Sequence, residues 1–278
     1  MPPIRADNSE QPKHFLRAMN KIFAVAGVVI KELYRRKDFY VLFILTVLIT
    51  GLMWTMNFFH DEQIVRFIKE VCLILIWISS LVIAVTTAAR QIPFERESRT
   101  IFPLLAKPIT RWQVLLGKFV GCWLATGVAL VVFYIFFALV SASREHTLPL
   151  DAYFEAFWMH WQMLSIVIAM TLLGSVGLST PAANMTIVFV ISLGILFLGA
   201  FLHKVAQQMA EPSASLLTAL YFIIPHLELF NMRELIIHDW RLAPGMWLDV
   251  LMATVYALAY TGFFLVAACL VFRRKALN

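Results

Sequence analysis

Two long apolar runs are separated by RQIPFERESRTIFPLLAKPITRWQVLLGK, residues 90–118, whose residue types are suited to work in water. Glu95 and Glu97 alternate with Arg96 and Arg99, so the stretch can ion-pair with an approaching surface. Phe94, Ile101 and Phe102 supply apolar side chains that can fill a groove on that surface. Aromatic anchors ringed by charge give a small interface both affinity and orientation. Pro93, Pro103 and Pro108 divide the stretch into short stiff pieces, which pass a push on to the flanking helices instead of absorbing it. The chemistry implied is protein docking and not bond making. The alternative is a solvated loop whose arginines only set membrane orientation.

Other chemistry is sparse. No GxxxxGK[ST] phosphate loop occurs, so the chain has no such cradle for ATP. The seven histidines are scattered; His226 and His238 are the nearest pair, without HExxH or paired cysteines, and no metal site is expected. Cys72, Cys122 and Cys269 lie in apolar runs without CxxC spacing and read as packing residues. Ser175, in Gly174-Ser175-Val176-Gly177, has no histidine nearby in sequence, so a small-residue packing site is the stronger reading than a nucleophile. Thr171, Ser175, Asn184 and Ser192 can line a path, but hydroxyls in membrane helices more often bond their own backbone or a neighbouring helix. Substrate-binding residues are therefore not identified. Apart from Lys118, no Asp, Glu, Lys or Arg lies well inside the apolar runs, which argues against an ion-coupled pump.

The elements that position residues 90–118 follow from composition. The chain is 61% hydrophobic and 14% charged, against about 45–50% and about 25% for soluble domains, so an all-α polytopic membrane protein is expected. The net charge of +6 comes from basic residues clustered beside apolar runs, where they orient spans and meet anionic lipid; nucleic acid is not an expected partner. Residues 1–13 are polar with three prolines and read as a flexible tail. Eight Lys or Arg precede the first apolar run at Phe39, with no small-residue cleavage site, which argues against a signal peptide. Over residues 14–38, Phe15, Met19, Ile22, Phe23, Ala26, Ile30 and Leu33 recur at helical spacing, as in a helix lying in the cytoplasmic interface; the alternative is an extension of the first span.

Six spans follow, at about 39–59, 71–89, 114–141, 161–178, 186–202 and 248–272, within one transmembrane domain over residues 39–278. Gly117, Gly121 and Ala125 place a small residue every four positions, which lets helix backbones approach closely. Trp158 and Trp161 suit a membrane interface. Residues 203–247 form a polar excursion in which interfacial or re-entrant helices are expected, broken at Pro225. With the N-terminus inside, 17 of 23 Lys and Arg fall on the cytoplasmic side, so both ends are expected there.

Residues 90–118 also carry a family likeness. Phe94-Glu95-Arg96-Glu97, Arg99-Thr100, Leu104-Leu105-Ala106-Lys107-Pro108-Ile109, Arg111 and Gly117-Lys118 resemble the cytoplasmic stretch between spans two and three of ABC-2 type transporter permeases. Lys31-Glu32-Leu33 with Arg35-Arg36-Lys37 resembles that family's elbow helix. Pro225-His226-Leu227-Glu228-Leu229-Phe230-Asn231 resembles the outer segment of the subgroup that includes nitrous-oxide reductase maturation permeases. Arg99 stands where a Gly is commoner. The resemblance implies a permease subunit of an ATP-driven ABC transporter, an exporter in a bacterial inner membrane, which is not itself an enzyme. It implies a coupling helix in which Phe94, Glu95, Arg96, Glu97, Arg99, Thr100 and Arg111 meet a separate ATPase. Two copies of that ATPase, holding ATP and Mg, would serve a pair of permease subunits, the same or different, with membrane lipid and an extracytoplasmic protein as further partners. A non-transporting anchor that transmits ATPase motion to an outer partner is the alternative.

Overall fold

A computed structural model describes residues 11–35, 37–54, 61–97, 110–145, 149–178, 180–206, 215, 224–237 and 246–274. Among these residues every element is helical: α1 (Gln11–Arg35), α2 (Lys37–Trp54), α3 (Asp61–Ala89), the short α4 (Pro93–Glu97), α5 (Arg111–Glu145), α6 (Leu150–Gly177) and α7 (Pro181–Ala206). A 3₁₀ turn (Leu227–Phe230), the short α8 (Arg233–Ile237) and α9 (Met246–Arg274) follow. Among the described residues, four stretches are long and apolar enough to cross a membrane: Val65–Glu95, Arg111–Ser143, Leu150–Gly177 and Trp247–Arg274. Phe39–Leu52 and Pro181–Phe197 are apolar but shorter. Each of the six overlaps one apolar run of the sequence.

The hub is α6, on which α9, α3, α5 and α7 all pack. Met163, Leu164, Ile166, Val167, Ile168 and Ala169 are fully buried in consequence. Parallel to α6 and in register with it, α9 is joined by Trp158 Nε1 donating to Thr254 Oγ1 at 3.0 Å and by Ser165 Oγ and Thr261 Oγ1 at 3.0 Å. The opposite face of α9 exposes more than half of Leu248, Leu251, Val255, Leu258 and Phe263. A strip of that kind is costly in water and marks a hydrocarbon neighbour.

The polar groups within the helices mostly turn back on the backbone, as expected for hydroxyls in lipid. Thr171 Oγ1 donates to Val167 O and Ser175 Oγ to Leu172 O, both at 2.7 Å. Asn184 Nδ2 instead donates to Thr171 O at 3.0 Å and ties α7 to α6. Cys72 and Cys122 are buried and, among the described residues, form no disulfide.

Two expectations need correcting. The helix read over residues 14–38 is present as α1, but it does not lie across the bundle as an interfacial elbow would. It runs parallel to α5: a Cβ on Gly117 would meet Val25 Cβ at 2.8 Å, and one on Gly121 would meet Val29 Cβ at 2.7 Å. The same direction continues into α2, where Phe39 and Phe43 pack edge-to-face on Phe133 of α5. The missing side chains at Gly117 and Gly121 form a groove, and the apolar face of α1 fills it. Trp161 also turns inward, stacked on Trp123 with ring centroids 4.2 Å apart and lying over Gly127.

The polar excursion re-enters the bundle. Pro225 is buried, Leu227 and Phe230 have no exposure, and the His226 backbone N–H donates to Tyr256 Oη at 2.8 Å. Tyr256 lies ten residues into α9, about 15 Å along its axis. Irregular backbone at that depth survives only when protein buries it and satisfies its polar groups. Lys69 Nζ, itself buried, donates to Ile236 O at 3.4 Å and holds the end of α8.

Candidate coupling site

The charged stretch begins where α3 stops. Gln91 N bonds Ala88 O at 3.2 Å and Phe94 N bonds Arg90 O at 3.1 Å, so the chain turns within three residues. Pro93 then opens α4, a position where its missing N–H and fixed φ cost nothing. Ile92 has no exposure and roots the turn, while Phe94 is 59% exposed and points off the bundle.

Glu95 behaves differently from the outward-facing docking acid expected of it. Its Oε1 sits 2.7 Å from Lys118 Nζ, with the two side chains 19% and 4% exposed. Lys118 also donates to Gln91 Oε1 at 3.1 Å, and Gln91 Nε2 donates to Thr87 O at 3.2 Å. One ammonium thus binds the end of α3, the turn and α4 to the second turn of α5. A buried lysine is tolerated only with such partners.

Arg111 makes a second brace. Its Nη1 donates to Phe272 O at 2.6 Å and to Arg273 O at 3.4 Å, and its guanidinium lies 5.5 Å from the Phe272 ring centroid. Those carbonyls belong to the last turn of α9, where a cation complements the helix dipole. Thr110 precedes α5 and donates its N–H to Gln113 Oε1 at 3.0 Å, the returning half of a capping box, which fixes where Arg111 stands. Arg96 and Glu97 close α4; their side chains lie outside the described residues, as do Arg99 and Thr100. Gly117, Gly121 and Ala125 are buried on α5, the glycines against α1. Of the expected coupling residues, then, Phe94 is presented outward while Glu95 and Arg111 brace the platform.

Sequence reading missed a second polar centre. His160 of α6 has no exposure, its Nε2 lies 2.8 Å from Ser80 Oγ, its Nδ1 lies 3.5 Å from Tyr134 Oη, and its ring stacks on Trp77 at 4.8 Å. Arg233 from α8 covers the Trp77 ring at 5.3 Å. His226 bonds Tyr256 through Nδ1 at 3.0 Å, and His238 lies outside the described residues. Only the apolar context of Trp158–Gln162 hinted at the burial of His160; its partners come from two distant helices.

Lipid-suited outer faces and a braced platform at one end define an integral membrane protein. Residues 29–277 match a protein-family model described as ABC-2 family transporter protein, and the chain belongs to that family. It is accordingly a membrane component of an ABC transporter and not itself the catalytic part, and its family implies association with an ABC ATPase subunit. No curated protein matches the chain.

Proposed function

We propose that this chain is the permease subunit of an ATP-driven exporter in a bacterial inner membrane, with six spans, both termini in the cytoplasm and α4 as its coupling helix. It works as a pair of permease subunits with two copies of a separate ATPase, which holds the ATP and Mg. The observation that supports this is the form of α4: a five-residue helix with Phe94 outward, held to α5 by a buried ion pair. A groove on the ATPase takes Phe94, and Arg96, Glu97, Arg99 and Thr100 supply the charged rim. When the ATPase moves, Lys118 carries the displacement from α4 into α5, and Arg111 carries it from α5 to the end of α9.

The test is co-purification. Phe94→Ala is expected to weaken ATPase association at least tenfold and abolish stimulated hydrolysis while membrane insertion and thermal midpoint stay unchanged. Unchanged association and hydrolysis overturn the assignment of α4.

A second reading, a non-transporting anchor, is favoured by the filled centre of the bundle, where Phe133, Phe137, His160, Met163 and Leu164 are fully buried. Reconstituted complexes separate the two. ATP-dependent movement of a substrate supports the exporter; hydrolysis without movement, with an outer protein bound through residues 203–247, supports the anchor.

A further inference from the structure

A cleft of about 340 Å³ opens between α3 and α7 and is closed on its third side by the 3₁₀ turn and α8. Its walls differ. Ile78 and Leu81 of α3 with Leu193, Leu196 and Phe197 of α7 make a hydrocarbon wall, and Glu70, Glu228, Asn231 and Arg233 make a charged one. Ile78 is 45% and Phe197 77% exposed, so the mouth opens sideways where lipid chains run. From Glu70 at the rim to Leu81 at the deep end is eleven residues of α3, about 16 Å, or half of a hydrocarbon core of about 30 Å.

The carboxylates on that wall are incompletely matched. Arg233 has Nε donating to Asn231 Oδ1 at 3.0 Å and its guanidinium over Trp77. Among the described residues, neither Glu70 nor Glu228 has an ion-pair partner, and Glu228 Oε2 is buried with no hydrogen bond. A carboxylate oxygen taken out of water without a donor is costly, and a ligand that brings N–H donors removes that cost.

We propose that this cleft binds an amine-headed phospholipid from the leaflet on the α8 side, its acyl chain along α3 and α7, its ammonium against Glu228 and Glu70, and its phosphate beside Arg233. A primary ammonium brings three N–H donors to the carboxylates. A quaternary choline head brings none, and an anionic glycerol head meets two like charges. The Arg233 charge beside two carboxylates matches a head that carries both signs. This inference rests on the membrane placement of the chain and not on its coupling to an ATPase, so it can fail while the function proposed above stands.

The experiment is native mass spectrometry of the purified full chain in detergent, equilibrated with equimolar phosphatidylethanolamine, phosphatidylcholine and phosphatidylglycerol of matched chain length. The ethanolamine lipid is expected to be retained at least fivefold over either competitor, and Glu228→Gln to bring the ratio close to one at an unchanged thermal midpoint. Glu70→Gln, at the exposed rim, is expected to lower the preference in part, and it stands in if Glu228→Gln does not fold. Equal retention of the three lipids, or a preference that survives the carboxamide substitution, overturns the proposal. A further arm adds dodecylamine, which has the ammonium without the phosphate. Weak competition supports a phospholipid, whereas displacement equal to that by phosphatidylethanolamine refutes the phospholipid assignment in favour of a free cationic amphiphile.

Discussion

The link between Lys118 and Glu95 invites a double-mutant cycle. The two charges are 2.7 Å apart, with side chains 4% and 19% exposed. At an effective dielectric of about 20 their Coulomb attraction is about 6 kcal/mol, and desolvation offsets much of it. Removing one partner leaves the other buried, which costs about 3 kcal/mol. Lys118→Met is therefore expected to lower the thermal midpoint in detergent by about 6–12 °C, taking about 2–4 °C per kcal/mol for a chain of this class. Glu95→Gln should fall less, because the amide oxygen still accepts from the ammonium. Lys118→Met with Glu95→Met removes both charges and should recover most of the loss, since an apolar pair of similar volume is often neutral. The second readout is ATPase stimulation, which the double substitution should not recover, because Met–Met contact does not fix the angle of α4. Additive midpoint shifts would refute the pairing, and full stimulation in the double variant would refute the brace as the carrier of motion.

Other outcomes follow from the same geometry. Gly121→Val places a Cβ 2.7 Å from Val29 Cβ and 2.9 Å from Ala26 Cα, so overpacking of about 1–3 kcal/mol, read as a lower midpoint and faster proteolysis within α1, is expected. Gly27→Val, where a Cβ meets nothing within 4 Å, is the matched control and should change neither. Arg111→Ala should cost about 1–2 kcal/mol for its charged hydrogen bonds and speed hydrogen exchange in the last turn of α9; unchanged exchange at Phe272–Arg274 would remove its bracing role. In a cysteine-free background, Lys107→Cys should react with an impermeant thiol reagent only from inside and Ser215→Cys only from outside, and the reverse pattern would invert the proposed topology.

Apolar runs were enough to locate the long helices, because hydrocarbon-facing residues carry their signal locally. Pairings were harder. Lys118 stood out as the one charge inside an apolar run, and Glu95 stood out as an acid, but they are 23 positions apart and meet only because the turn at Arg90–Ile92 sends α4 back to α5. The course of α1 was not legible for another reason: an apolar stripe of helical period suits a lipid surface or a groove equally. The groove itself was visible as Gly117, Gly121 and Ala125, without any sign of which helix would enter it. His160 was missed because Ser80, Tyr134 and Trp77 come to it from α3 and α5, and no spacing in the sequence records that convergence.

The buried segment at 224–237 also bears on the order in which the protein is made. It leaves the ribosome before α9, yet the hydroxyl that receives the His226 N–H belongs to Tyr256. At about 5–20 residues per second, roughly 2–6 s pass before Tyr256 is synthesised. During that interval the segment can pack on α3, α6 and α7, which precede it, but its His226 N–H lacks the hydroxyl that receives it. Satisfaction of that N–H is thereby completed only on arrival of the last helix, and a chain stalled before residue 256 should leave this segment more open to proteases than the full chain does.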